Sequence, residues 1–238
     1  LAASLAEAEG DGTLIGRRVP VAVLFVDIRG FTALGEAMTP EDLGAFLSAY
    51  RDRLTRPVFQ RGGTVDKFIG DAIMAVFGSP FPREDDAARA VHCALDMLEA
   101  VHQWSEERRM TGAPSVSIGI GVHYGEVFAG ALGNDQLLEF TVIGDTVNVA
   151  ERLERVSREV GSPVVVSAAL LDAAGDRIAR DLWRPLPIRE LRGHRQIVET
   201  FCLVEAGAAA HAEISQGPAS DPTAAGSSTA GDGSVRLI

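Results

Sequence analysis

Residues Val65 to Phe77 read V-D-K-F-I-G-D-A-I-M-A-V-F. Two short apolar runs, Val65 to Ile69 and Ala72 to Phe77, flank Gly70-Asp71, the pattern of a β-hairpin whose tight turn carries a carboxylate. Lys67 stands four residues before that carboxylate and is the sole lysine among 22 Lys plus Arg residues. Lysine's compact, rotatable donor can address a single acceptor, whereas a guanidinium presents a planar fork. Lys67 is therefore a candidate contact to one ligand atom, with a water-facing strand lysine as the plain alternative.

Val21 to Val26 is a continuous β-branched and apolar run, the signature of a strand buried on both faces. It ends in Asp27-Ile28-Arg29-Gly30-Phe31-Thr32, an acid at a strand exit followed by a glycine turn into a short helix. Such a turn offers backbone N–H groups to phosphate oxygens while the acid holds a cation; a simple helix cap is the alternative. Thr39-Pro40-Glu41-Asp42 carries the marks of a helix start, and a second long helix is expected from Glu84 to Arg109. Val116 to His123 and Glu126 to Leu132 are expected as two strands joined around Tyr124-Gly125. Their glycines lack the G-x-G-x-x-G spacing of a dinucleotide loop, and no G-x-x-x-x-G-K-[ST] segment exists. His123 has no second His or Cys at ligand spacing and reads as a hydrogen-bonded strand residue.

Glu139 to Ile143 predicts another strand, and Asp145 to about Val160 a helix. On that helix Asn148 and Arg152, four apart, share a face and can act on one target. An amide and a guanidinium together suit an anion that gains charge during reaction; a solvated face is the alternative. Val164 to Val166, a short helix near Ala168 to Ala174, and strands around Leu182 to Leu191 and Val198 to Val204 complete the globular part.

The 238 residues carry a net charge of −11, which argues against a general nucleic-acid binder, since such proteins need surplus cations to displace counterions. An acidic protein can still take a polyphosphate through bridging metal ions. No apolar run approaches the ~20 residues that span a bilayer. Two distant cysteines, Cys93 and Cys202, do not make a disulfide framework, so a cytoplasmic setting is expected. The N-terminus lacks an initiator Met and a basic leader, which suggests a piece of a longer protein. Residues 1–18 are expected as a linker from an upstream module and 205–238, rich in Ala, Gly, Ser and Thr, as a disordered tail.

F-V-D-I-R-G-F-T at 25–32, D-K-F-I-G-D-A-I-M-A-V-F-G at 66–78 and F-T-V-I-G-D-T-V-N-V-A-E-R-L-E at 140–154 together closely resemble the class III adenylyl and guanylyl cyclase catalytic domain. The resemblance spans about residues 19–204, in order and at matching intervals. It implies a ferredoxin-like α/β fold, a mixed sheet with flanking helices, working as a head-to-tail homodimer. Asp27 and Asp71 match the metal-binding aspartates, with the Ile28 carbonyl as a further ligand for two Mg²⁺ or Mn²⁺ ions per site. Gly30, Phe31 and Thr32, the turn that follows Asp27, are expected to hold substrate phosphate. Lys67 and Thr141 match the positions that read the purine, and a lysine there favours ATP, because adenine N1 accepts where guanine N1 donates. Thr141 also resembles a Thr-bearing subgroup with bicarbonate-responsive members. Asn148 and Arg152 match the pair that orients ribose and stabilises the reacting phosphorus, opposite the partner's metal site.

Two departures stand out. Arg192 occupies the place of a phosphate-binding lysine, and Gly119 that of an arginine some relatives use for the β-phosphate, so either phosphate binding is expected to be weaker or Arg29 or Arg192 to compensate. The reading is adenylyl cyclase, with a guanylyl cyclase or a catalytically silent nucleotide-binding module as alternatives.

Overall fold

The computed structural model describes residues 15–134, 137–187 and 198–204. In chain order the elements are β1 (Ile15–Ile28), α1 (Phe31–Glu36), α2 (Pro40–Gln60), β2 (Thr64–Ile69), β3 (Ala72–Phe77) and α3 (Asp86–Met110). There follow β4 (Ile118–Asn134), β5 (Leu137–Ile143), α4 (Asp145–Glu159), β6 (Val164–Ser167), α5 (Ala168–Ala174), β7 (Trp183–Pro185) and β8 (Thr200–Leu203). The strands form one sheet in the order β2-β3-β1-β4-β6-β8-β7, with β5 also paired to β4. Every pairing is antiparallel except β4 with β6. The mixed sheet with flanking helices that the sequence implies is the fold the chain adopts.

Because successive strand side chains point to opposite faces, β1 serves two cores. Ala22, Leu24, Val26 and Ile28 meet Tyr50 and Leu54 of α2 and Val91 of α3. Val21, Val23 and Phe25 meet Met74, Val142 and Ala150 of α4 on the other side. The two-faced burial read from Val21–Val26 is thus present, and the strand extends beyond that run at both ends. Helix α2 begins as expected: the Thr39 hydroxyl accepts the Asp42 N–H at 3.2 Å, with Pro40 in the first turn. Arg108 and Arg109 close α3, where cations oppose the helix dipole.

The expected break at Tyr124-Gly125 is absent. β4 runs through it as one strand of 17 residues, paired with β1 from Ile15↔Ala131 to Ile28↔Ile118. Gly125 serves a close contact instead. A Cβ there would lie 2.7 Å from Thr146 Oγ1, and that buried hydroxyl donates to the Glu126 carbonyl at 2.7 Å. Gly121 has a related role: its Cβ would stand 2.1 Å from the Glu154 nitrogen and 2.3 Å from the Ala150 oxygen. Helix α4 lies directly on bare strand backbone at this point. The strand expected at Leu182 to Leu191 is β7 alone, and residues 188–197 lie outside the described residues, as do the expected linker's first fourteen residues and the expected tail. Among the described residues no helix is long and apolar enough to cross a membrane.

Candidate active site

Asp27 continues the odd-numbered row of β1 toward α4, and Asp71 sits on the turn between β2 and β3. The turn is held from α2: Arg51 donates to the Gly70 carbonyl at 2.8 Å and lies over the Phe68 ring at 4.5 Å. Gly70, with φ 63°, occupies the left-handed region that such a turn requires. The Asp71 carboxyl lies close enough to that of Asp27 to raise it. Burial first, then the Asp71 carboxyl and the Glu154 charge, push Asp27 up to about 7, while the Ile28 N–H, donating at 3.0 Å, acts the other way. The nearest cation is Arg158, whose Nη2 is 3.5 Å from Asp27 Oδ2.

Such a pair suits a divalent cation, because crowded, partly desolvated acids gain most when a positive charge is placed beside them. Among the described residues no group of three or more His, Cys, Asp or Glu side chains has metal-binding geometry. Mg²⁺ commonly uses one or two carboxylates and completes its shell with water and substrate phosphates, a number of acids that Asp27 and Asp71 supply.

A second cluster joins β2 to β5. Lys67 Nζ is 2.8 Å from Glu139 Oε1 and 3.6 Å from Asp66 Oδ2. Thr141 Oγ1 donates to the same Asp66 oxygen at 2.8 Å. The hydrogen bond to Glu139 is the main cause of the raised Lys67 pKa. Lys67 and Thr141, widely separated in sequence, are therefore brought together. No hydrogen bond or ion pair joins this cluster to Asp27 and Asp71 among the described residues.

On α4, Asn148 is exposed and Arg152 half-buried. Arg152 Nη1 is buried without a hydrogen-bond partner among the described residues, a donor held ready for an acceptor that those residues do not supply. Gly30, at φ 71°, opens α1 without a side-chain cap; Phe31 packs against the larger core and Thr32 is exposed. Arg192 lies outside the described residues. Arg29 does not serve as a spare phosphate ligand. Its guanidinium donates to the carbonyls of Ile118 at 3.1 Å, Ser157 at 3.1 Å and Ser162 at 2.6 Å, tying β1 to both ends of the α4–β6 connection. His123 is hydrogen-bonded, its Nδ1 lying 2.7 Å from Ser167 Oγ, as its sequence context indicates.

The family model for the adenylate and guanylate cyclase catalytic domain matches residues 15–201. The chain belongs to this family. An adenylate cyclase of Anabaena cylindrica is 37% identical over 155 residues, covering 63% of this chain and 30% of that protein. Adenylate cyclase 1 of Rhizobium meliloti is 32% identical over 187 residues, covering 79% of this chain and 28% of that protein. The cyclase domain thus spans under a third of the length of these relatives. Among solved structures, the adenylyl cyclase CyaB from P. aeruginosa superposes with TM-score 0.73 at 30% identity, covering 80% of this chain and 96% of that one. The guanylyl cyclase Cya2 superposes with TM-score 0.70 at 31% identity, covering 79% and 93%.

Four residues of the cyclase domain escaped the sequence reading. Asp66 and Glu139 complete the Lys67 cluster. Glu154, 5% exposed and 3.6 Å from Arg158 Nη2 through Oε1, adds negative charge beside Asp27. The Tyr50 phenol is buried, lacks a hydrogen-bond partner among the described residues and is pushed up by burial and then by Asp27, Asp71 and Glu154. The E-R at 154–155 carried a helical signal only, and the acid preceding Lys67 was visible but had no assigned partner.

Proposed function

We propose that this cyclase domain is an adenylyl cyclase that converts ATP to 3′,5′-cyclic AMP and pyrophosphate at sites shared by two copies of the chain. The carrying observation is the proximity of Asp27 and Asp71, two carboxyl groups that act on each other electrostatically where a β-strand ends and a hairpin turns. With the Ile28 carbonyl they would hold two Mg²⁺ or Mn²⁺ ions, which supply activation of the ribose 3′-hydroxyl and neutralisation of the triphosphate. The 3′-oxygen forms a bond to the α-phosphorus as the bond to the pyrophosphate oxygen breaks, and the hydroxyl proton passes to solvent.

The remaining work falls to side chains. Lys67 donates to adenine N1, beside Thr141. Asn148 orients the ribose, and Arg152, with its unpartnered Nη1, stabilises charge growing on the phosphorus; a donor in such a place is worth ~10² to 10³ in rate. Gly30, Phe31 and Thr32 border the phosphates, and Arg192 binds them. In the shared arrangement Lys67, Thr141, Asn148 and Arg152 of one copy face Asp27 and Asp71 of the other. Bicarbonate, acting on a Thr141-bearing site, stimulates turnover; a rate indifferent to it at fixed pH removes that part.

The test is incubation of the full chain with ATP or GTP and Mn²⁺, with products separated by chromatography. Cyclic AMP formed faster than cyclic GMP is expected. Faster GTP turnover, or no turnover of either, overturns the reading.

A further inference from the structure

We infer that Asp66 is a positioning residue that fixes the polarity of the Thr141 hydroxyl and thereby selects adenine over guanine. The inference rests on Lys67 and Thr141 being the base-contacting pair. In a regular strand neighbours 66 and 67 would face opposite sides of the sheet. The β2–β3 register shifts between Val65 and Lys67, an irregularity of the kind that re-aims side chains near active sites. As a result both neighbours reach β5: Asp66 takes Thr141 and Lys67 takes Glu139.

The chemistry follows from the inventory of donors. An ionised carboxylate only accepts, so the Thr141–Asp66 hydrogen bond of 2.8 Å uses the single hydroxyl hydrogen. Both side chains are nearly buried, Asp66 at 7% and Thr141 at 4% exposure, which leaves no water competing for that hydrogen. Burial raises the Asp66 carboxyl, while the Thr141 hydroxyl and the Lys67 ammonium, 3.6 Å from the same oxygen, act toward the ionised form. Thr141 is thereby left with lone pairs alone to offer a ligand.

The base edge then meets a donor, Lys67, beside an acceptor, Thr141. Adenine presents the complement, an N1 acceptor next to a 6-amino donor. Guanine presents the reverse, an N1 hydrogen next to the O6 acceptor, and is mismatched at both points. A threonine hydroxyl by itself serves either base, so the discrimination at this position comes from its neighbour on β2. Removing Asp66 frees the hydroxyl to turn and donate to O6.

The experiment compares wild type, Asp66→Ala, Asp66→Asn and Thr141→Val by kcat/KM for ATP and GTP. It also measures equilibrium binding of 3′-deoxy-ATP and 3′-deoxy-GTP, which lack the attacking hydroxyl. Asp66→Ala is expected to narrow the ATP-over-GTP ratio by about tenfold, the factor that ~1.4 kcal/mol represents. Asp66→Asn, whose amide oxygen still accepts from Thr141, is expected to keep the ratio, and Asp66→Ala to add nothing in a Thr141→Val background. Should Asp66→Ala fail to melt cooperatively, Asp66→Ser replaces it, polar but too short to reach Thr141. A ratio unchanged in the Ala or Ser variant, or lowered equally in Asp66→Asn, overturns the inference. A wild type that prefers GTP instead refutes the adenylyl cyclase reading itself, so the two failures are distinguishable.

Discussion

Replacing Asp27 by asparagine keeps the shape of the side chain and the acceptor for the Ile28 N–H, and removes the charge that burial, Asp71 and Glu154 all disfavour. Holding the Asp27 carboxyl at about 7 instead of 3.8 sets an upper bound of about 4 kcal/mol at 1.36 kcal/mol per pH unit. The Asp27 side chain retains 26% exposure, and solvent relaxation reduces this to roughly 1–3 kcal/mol. The sign follows from proton counts. Between about pH 4 and 7 the folded chain keeps a proton that the unfolded chain has released, so this contribution favours folding at low pH, is lost as pH rises through 7, and is flat above. Without divalent cations, Asp27→Asn should therefore melt close to wild type at pH 4 and about 2–12 °C higher at pH 8, given roughly 2–4 °C per kcal/mol for a chain of this size. Adding Mn²⁺ at pH 8 should raise the wild-type midpoint and leave the variant unmoved, since only a ligand-competent folded state is stabilised. Differential scanning fluorimetry with EDTA and then Mn²⁺ reads both. A variant that melts below wild type at pH 8 in EDTA, or a gap that does not depend on pH, refutes the crowding argument.

Gly121→Ala should lower stability by about 3 kcal/mol or more, read from the denaturant midpoint, because the new methyl meets α4 backbone at 2.1 and 2.3 Å; an unshifted midpoint counts against the close packing. Arg29→Ala, which strips the donor from three carbonyls, should cost roughly 2–4 kcal/mol and leave KM for ATP unchanged in the folded fraction; a raised KM would instead make Arg29 a phosphate contact. Asp71→Ala and Arg152→Ala proteins should each be inactive and regain activity when mixed, because one of the two sites in a heterodimer is intact. A mixture shown by mass spectrometry to contain heterodimer, yet without activity, excludes the shared arrangement.

The elements that the sequence displayed best are those where local chemistry and burial agree. Val21–Val26 announced a two-faced strand because every position is apolar, and Gly70-Asp71 announced a turn because only the glycine tolerates φ 63°. Tyr124-Gly125 misled because glycine also permits close approach: the space above Gly125 belongs to Thr146, some twenty residues on, and no local pattern reveals such a neighbour. The acid pair could be read as two strand-end carboxylates, whereas their proximity depends on β3 lying beside β1. Asp66 was hidden more deeply. Its role depends on a register irregularity in β2 and on a threonine three strands of sequence away, and strict alternation would have assigned it to the opposite face from Lys67.

Strand β1 belongs to both hydrophobic layers at once and terminates in Asp27. Its axial position is consequently a compromise between two independently packed interiors, one lined by α2 and α3 and the other by α4. A cavity opened in either layer, far from any nucleotide, displaces the same carboxylate, so the fidelity of the catalytic geometry is a property of the whole sandwich and drifts whenever either half relaxes.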